Sequence, residues 1–413
     1  MRPNDGNPVT GDDFFNRSDE IQRLTELLQN RQHINLVAPR RCGKTSLMRE
    51  IMLRLQSNGW ATLEADFSSC ATTQQFLECL TGKIEDKASK SKDLQKRLKD
   101  KLCTFAGKVK DVKFLNVGLS LQPSDATSFA EVDRQLRGIL KEVAATAENG
   151  RLLLGTDEIP IFLARLQLSA GDDPVRLKAV REEISVLLYW LRDLRQDQSL
   201  PVTWFHCGSI GLEHLVAGLG LTHALSGLSH QPIHAFSEVH ARGLLKELSL
   251  GCSLNLSVVA EDRMLERLQW FLPYFVQLFL IKLHEPRDYA RRRQLEYPTV
   301  QDVDAAYEQM IEEGKIHFNH WDSRLDEQLS KIKAMQARDI LAWIANESSG
   351  MKRQTVVARV VSASPGGDAR ELERSARDLL SLLENDGYLM RDPSSSYHFR
   401  SPLLRDFWKR QFC

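Results

Sequence analysis

The stretch INLVAPRRCGKTSLMRE, residues 34 to 50, constrains this chain more than any other. Ile34 to Ala38 is a short apolar run of the kind a buried strand carries. From Thr45 onward, Leu47, Met48, Ile51 and Leu55 recur at helical spacing. The reading is strand, loop, helix. The loop ends in Gly43, Lys44 and Thr45, as does the phosphate-binding pattern G-x-x-x-x-G-K-[ST]. Ala38 stands where that pattern has its first glycine, and Arg40 and Arg41 fill the middle. The first glycine only lets the chain leave the strand, which alanine also does at negative φ. Gly43 has the stricter task. Backbone N–H groups and a helix N-terminus must come close to phosphate oxygens. The Lys44 ammonium suits the outer phosphates, and the Thr45 hydroxyl suits Mg2+. Ala38, Pro39, Arg40, Arg41, Cys42, Gly43, Lys44, Thr45 and Ser46 are therefore candidate nucleotide-binding residues.

Such a site needs carboxylates opposite the loop. LLLGTDEIP supplies an apolar run ending in Asp157 and Glu158. Asp157 is expected beside the metal, through water. Glu158 is expected to polarise the attacking water as a general base. The plain alternative is a solvated acidic pair at a strand end. Gly155 and Thr156 interrupt the apolar run. A further candidate strand, PVTWFHCGS, ends in Gly208 and Ser209. In a parallel sheet that end opens onto the ligand crevice, which makes Ser209 a candidate reader of the γ-phosphate. A simple strand-to-helix turn is the alternative there.

Strand candidates at 34–38, 60–67, 151–158, 201–209 and 231–236 alternate with helical patterns. Alternation predicts an α/β fold with a parallel sheet covered on both faces. Residues 1–13 read as a mobile leader and 14–236 as the core. Within the core, residues 83–113 hold eleven Lys or Arg against five Asp or Glu, an excess of six. This lysine-rich insertion runs to about residue 121 and closes in a short β element at 117–121. It reads as a solvated helical face, with nucleic-acid contact as the sharper alternative. Residues 237–323 read as helical, with a basic run from Arg287 to Arg293. Residues 324–413 read as a separate unit of three helices and a strand–turn–strand, which suggests a winged helix.

Lys+Arg and Asp+Glu both number 55, so any nucleic-acid surface must be local. The most apolar stretch, Phe271 to Leu283, is broken by Gln277 and Lys282 and is too short to span a bilayer. The seven cysteines include no C-x-x-C pair, which fits the cytoplasm better than a disulfide framework. His230, His234 and His240 read as surface or core residues rather than ligands. Cys42 reads as a small space-filler within the loop.

FNRSDEIQRL, APRRCGKTSL, LLLGTDEIP, FHCGSIGLEHL and LPYFVQLF occur in this order. Together they resemble the archaeal-type ATPases of the STAND group of AAA-related P-loop proteins, over roughly residues 13 to 285. The resemblance implies a five-stranded sheet ordered 5-1-4-3-2, a helical lid and a winged helix. It implies ATP with Mg2+ as cofactors and regulatory switching as the role. Phe15 and Arg17 would lie near the adenine, where the family more often has G-R-E. Pro273 and Tyr274 would face the nucleotide from the lid. Arg40 and Arg41 are typical of the family.

The leading expectation is an ATP-binding, slowly hydrolysing switch. It would couple its nucleotide state, ATP or ADP, to a protein or nucleic-acid partner, with DNA or RNA binding weak at most, as in a prokaryotic defence or conflict system. An oligomer is compatible with it; a membrane partner is not expected. One alternative is a DNA-binding ATPase resembling archaeal replication initiators, whose loop usually carries a further glycine. Another is a non-hydrolysing nucleotide-bound scaffold, which Lys44, Thr45, Asp157 and Glu158 disfavour.

Overall fold

Five strands share one sheet. They are β1 (His33–Val37), β2 (Ala61–Asp66), β3 (Leu152–Asp157), β4 (Val202–Gly208) and β5 (Leu228–Pro232), all parallel in the order β2-β3-β4-β1-β5. Counted from the other edge, this is the expected 5-1-4-3-2. A computed structural model describes residues 1–4, 6–111, 123–171, 173–208, 211–285 and 297–413. The β element expected at 117–121 and the arginine run at 287–293 lie outside the described residues.

Burial explains the order. Every residue of β3 and β4 is buried, as continuous apolar runs require of central strands. β2 and β5 lie at the edges, and their burial alternates. The fifth strand was expected at 231–236 but runs from Leu228 to Pro232. Its register with β1 pairs His33 with Leu228 and Val37 with Pro232. The sequence LSHQP is polar because only one edge and part of one face are covered. The apolar residues that suggested a later strand lie past its end, where the Ile233 amide still donates to the Val37 carbonyl at 2.8 Å.

Gly155, odd in a buried strand, has a steric cause. A Cβ there would come within 2.9 Å of both Met48 Sδ and Met52 Sδ. The glycine lets helix Lys44–Ser57 lie close on the sheet.

The lysine-rich region forms two helices, Thr73–Ser89 and Lys92–Asp111. Leu94, Leu98, Leu102, Phe105 and Val109 form a buried stripe along the second, so its charges occupy the other face. That stripe belongs to the same core as the sheet residues Leu63, Leu154 and Trp204.

The described chain divides into two compact units. One holds Arg17–Ala38 and Lys44–Ile233, and therefore the sheet. The other holds Met1–Asn16, Pro39–Gly43 and His234–Cys413. In the second, helices Glu238–Gly251, Val258–Leu268, Pro273–His284, Val300–Glu312 and Gly314–Gln328 precede helices Lys331–Asn346, Arg353–Ala363, Ala369–Asn385 and Pro402–Phe412. A small antiparallel sheet joins β6 (Met351–Lys352), β8 (Ser396–Phe399) and β7 (Leu389–Arg391), in that order. Helix Ala369–Asn385 ends in a Schellman motif. Gly387, at φ +86°, donates to Glu384 O, and Tyr388 donates to Leu383 O.

The boundary expected near residue 323 is crossed by a shared core. Phe318 and Phe407 rings lie 5.1 Å apart, and Trp321 and Tyr388 rings 5.0 Å apart. Tyr388 Oη donates to Trp321 O at 2.6 Å. The leader expected to be mobile is also engaged. Its Asn4 amide donates to Gln277 Oε1 at 3.0 Å, and Gly11–Asp13 forms a 3-10 turn.

Candidate functional site

In the sheet unit, helix Lys44–Ser57 begins at the lysine and threonine of the G-K-T sequence. Lys44 is the first helical residue and is buried, and its ammonium donates to Ala38 O at 2.9 Å. Thr45 Oγ1 donates to Asp157 Oδ2 at 2.6 Å. One hydrogen bond therefore joins the loop's hydroxyl to the carboxylate that ends β3. Gly43 adopts φ +87°, which only glycine takes readily, and a Cβ there would meet nothing within 4 Å. The backbone at Gly43 is thus open to close approach by a ligand.

Asp157 is almost fully buried. Burial, followed by the charge of Glu158, raises its carboxyl to about 6, against the opposing Thr45 hydrogen bond and Lys44 charge. A buried acid and a hydroxyl so arranged suit a hard, oxygen-preferring cation such as Mg2+.

Glu158 stands at φ +58°, a left-handed conformation that non-glycine residues seldom adopt. Its amide donates to Cys207 O and to Asp157 Oδ1, both at 3.1 Å. Two donor contacts and the following helix, Ile159–Leu168 with Pro160 in its first turn, hold it there. Strain of this kind concentrates at working positions. Ser46 lies within the first turn of the loop helix. Ser209 lies outside the described residues.

Sequence reasoning passed over Asp66. It ends β2 as Asp157 ends β3, the two are partners in register, and its charge also raises Asp157. The signal was available: Asp66 closes the apolar alternation of ATLEAD. Arg49, on the loop helix, makes a bidentate pair with Glu64, Nη2 to Oε1 at 2.7 Å and Nε to Oε2 at 3.0 Å, and both carboxylates, Asp157 and Asp66, add to its stabilisation as a cation.

The other candidate residues are distributed unevenly. Arg17, at φ +67°, is buried in the sheet unit and pairs with Glu20 at 2.9 Å. Phe15 belongs to the second unit, edge-on to Phe236 at 6.0 Å and close against Gly243. In that same unit, the Arg41 guanidinium lies over the Tyr274 ring at 4.2 Å, and Arg40 donates to His320 O at 3.3 Å. The Tyr274 hydroxyl is within hydrogen-bonding distance of His317 Nδ1, at 3.2 Å. Cys42 is fully buried, and its thiol donates to His234 O at 3.1 Å. Pro273 opens helix Pro273–His284. The side chains of Arg40 and Arg41 are thus committed to helices of the second unit.

No protein-family model matches the chain, and no curated protein matches it. Solved structures do. A Walker-type ATPase of Pyrococcus abyssi is 16% identical, with 99% of each chain covered and a TM-score of 0.57. The ORC2 protein of Aeropyrum pernix, in ADPNP–ADP complexes, is 14% identical, with 97% of this chain and 95% of that chain covered and a TM-score of 0.54. The chain has the fold of these P-loop proteins, five-stranded parallel sheet included.

Proposed function

We propose that the chain is an ATP-binding and slowly hydrolysing switch of the STAND kind, whose C-terminal helices and winged helix report nucleotide state to a protein partner. The observation that carries this reading is the 2.6 Å bond from Thr45, behind a G-K-T loop, to Asp157 at the end of the neighbouring acidic strand. Lys44, now on the Ala38 carbonyl, is the loop's cation for outer-phosphate charge. Thr45 and Asp157 would hold Mg2+, which when bound supplies charge neutralisation at the phosphates. Glu158 accepts the proton of the attacking water on a carboxylate oxygen, and Asp157 beside it remains with the metal side. Ser209 is retained as the candidate reader of the γ-phosphate. Phe15, Arg17, Pro273 and Tyr274 are retained as base-side candidates.

The test is turnover of the full chain and of Glu158→Gln. Removing a positioned base costs roughly 10²–10⁴-fold in rate. The variant should bind Mg-ATP and retain it unhydrolysed. Wild-type turnover by Glu158→Gln would remove Glu158 from the mechanism.

A second reading, a DNA-binding ATPase of the initiator kind, is favoured by the likeness to the ORC2 protein across 97% of this chain. Against it stands the candidate recognition helix, Ala369–Asn385. Its exposed Arg370, Arg374 and Arg377 are interleaved with Glu371 and Glu373, and Arg377 is paired with Glu373 at 2.8 Å. A helix built to hold phosphates is more one-sidedly basic.

A further inference from the structure

Two cysteines at the exit of β2 play no part in the nucleotide site, and they are neighbours. The chain leaves β2 at Asp66 and enters helix Thr73–Ser89 through Thr72, whose hydroxyl caps the helix by accepting from the Gln75 amide. The Cys70 amide donates to Phe67 O at 3.0 Å. Further on, within the helix, Cys79 Sγ donates to Asp66 O at 3.3 Å. Consecutive carbonyls of one strand end thus hold both cysteines. The rings of Phe67 and Phe76 stack at 4.1 Å, so the exit loop is clamped to the helix beside the two sulfurs. The Cys70 and Cys79 thiols lie close enough for each to shift the other's titration.

Their surroundings divide the roles. Cys70 is 3% exposed, whereas Cys79 is half-buried and reachable from solvent. The Cys70 thiol beside it draws the Cys79 thiol down to about 7, against burial and the Asp66 charge, with help from Lys83 one turn along. The same pairing, with burial, pushes Cys70 up, against the charge of Arg165. Cys79, the sulfur that solvent reaches, is then the one that meets an oxidant, and buried Cys70 is the partner behind it.

We propose that Cys70 and Cys79 form a modification site, a dithiol that a hydroperoxide converts reversibly into a disulfide. The Cys79 thiolate attacks a peroxide oxygen and the O–O bond breaks, leaving Cys79 as a sulfenic acid and releasing hydroxide. Cys70 sulfur then attacks the Cys79 sulfur. The S–O bond breaks, the Cys70 proton leaves with the departing hydroxide as water, and the S–S bond forms. Two thiols and one H2O2 give one disulfide and two waters, with both electrons taken from the sulfur pair. A dithiol reductant reverses the change.

The full chain supplies the test, and its readout is independent of nucleotide. Residues 55–83 contain no internal Lys or Arg, so trypsin releases both cysteines in one peptide, and cleavage after Glu78 separates them in the chain. After treatment with H2O2 and alkylation, that peptide should be lighter by two hydrogens, and its fragments should stay joined until dithiothreitol is added. In Cys70→Ser the link should be lost, and Cys79 should be trapped by dimedone as a sulfenic acid. The proposal is overturned if, in the wild type, both cysteines remain alkylatable while exposed Cys103 is oxidised. It is equally overturned if Cys79 gains oxygen with Cys70 still free.

Discussion

Glu158 shows what a single residue can disclose. Holding a glutamate at φ +58° costs on the order of 1–2 kcal/mol relative to a residue at ease there. Glu158→Gly should therefore leave thermal stability equal to or above that of the wild type while turnover collapses. A variant that loses both would show that the side chain supports the fold rather than the chemistry. His33 carries a different prediction. Its Nε2 donates to Arg195 O at 2.8 Å and its Nδ1 accepts from the Trp204 amide at 3.1 Å, so the neutral ring is fully bonded. Burial lowers its pKa from 6.5 to about 4, outweighing the Arg195 carbonyl, which acts to raise it. The folded state thus takes up the proton later than the unfolded chain. Its stabilisation is present above pH 6.5 and is lost as pH falls toward 4. Between pH 6.5 and 5 this one group removes about 1–2 kcal/mol. His206, fully buried and also shifted down by burial, acts in the same sense. Denaturation measured at both pH values should show a smaller acid loss in His33→Gln than in the wild type. An identical loss would free His33 of this role.

At the scale of elements, Gly155 fixes how closely the loop helix lies on the sheet. Gly155→Ala drives a methyl within 2.9 Å of two methionine sulfurs, an overpacking that costs typically ~1–3 kcal/mol. Gly82, inside helix Thr73–Ser89 with nothing within 4 Å of an added Cβ, makes the contrast. Gly82→Ala should raise stability by about 0.5–1 kcal/mol. Melting curves for the two variants should move in opposite directions; parallel shifts would contradict this packing. The same element shows where the sequence is legible. Periodicity is a backbone-local signal, so INLVA followed by a 3.6-residue repeat reveals β1 and the loop helix directly. The continuous apolar runs of β3 and β4 reveal central strands for the same reason. Long-range pairing leaves no such trace. LSHQP lacks the apolar alternation of a strand, and only its register with β1 makes it β5. The partnership of Asp66 with Asp157 depends on strands separated by the long insertion. Gly155 looked like an interruption because the methionines that need its space lie on another element.

For the molecule as a whole, the C-terminal segment is part of a shared core rather than an appended module. Phe407 and Tyr388 cover Phe318 and Trp321. Truncation after Gln328 should therefore expose these rings, bind a hydrophobic dye and lose cooperative melting. A truncated chain that melts as sharply as the wild type would restore the boundary expected from sequence. DNA contact is better tested in the full chain. The mixed charges of helix Ala369–Asn385 predict weak, sequence-tolerant duplex binding that falls steeply with salt, by a slope near 0.9 for each phosphate neutralised. Tight, sequence-specific binding at physiological salt would instead favour the initiator reading. The central proposal, however, is that Lys44, Thr45 and Asp157 hold a nucleotide with its metal, and calorimetric titration of Mg-ATP into the wild type and Lys44→Ala tests it most directly. A charge-assisted contact of about 1.5–3 kcal/mol corresponds to a loss of roughly 10- to 100-fold in affinity. We predict saturable binding to the wild type and at least that loss in the variant; equal affinity in the two proteins, or no binding to either, would contradict the account.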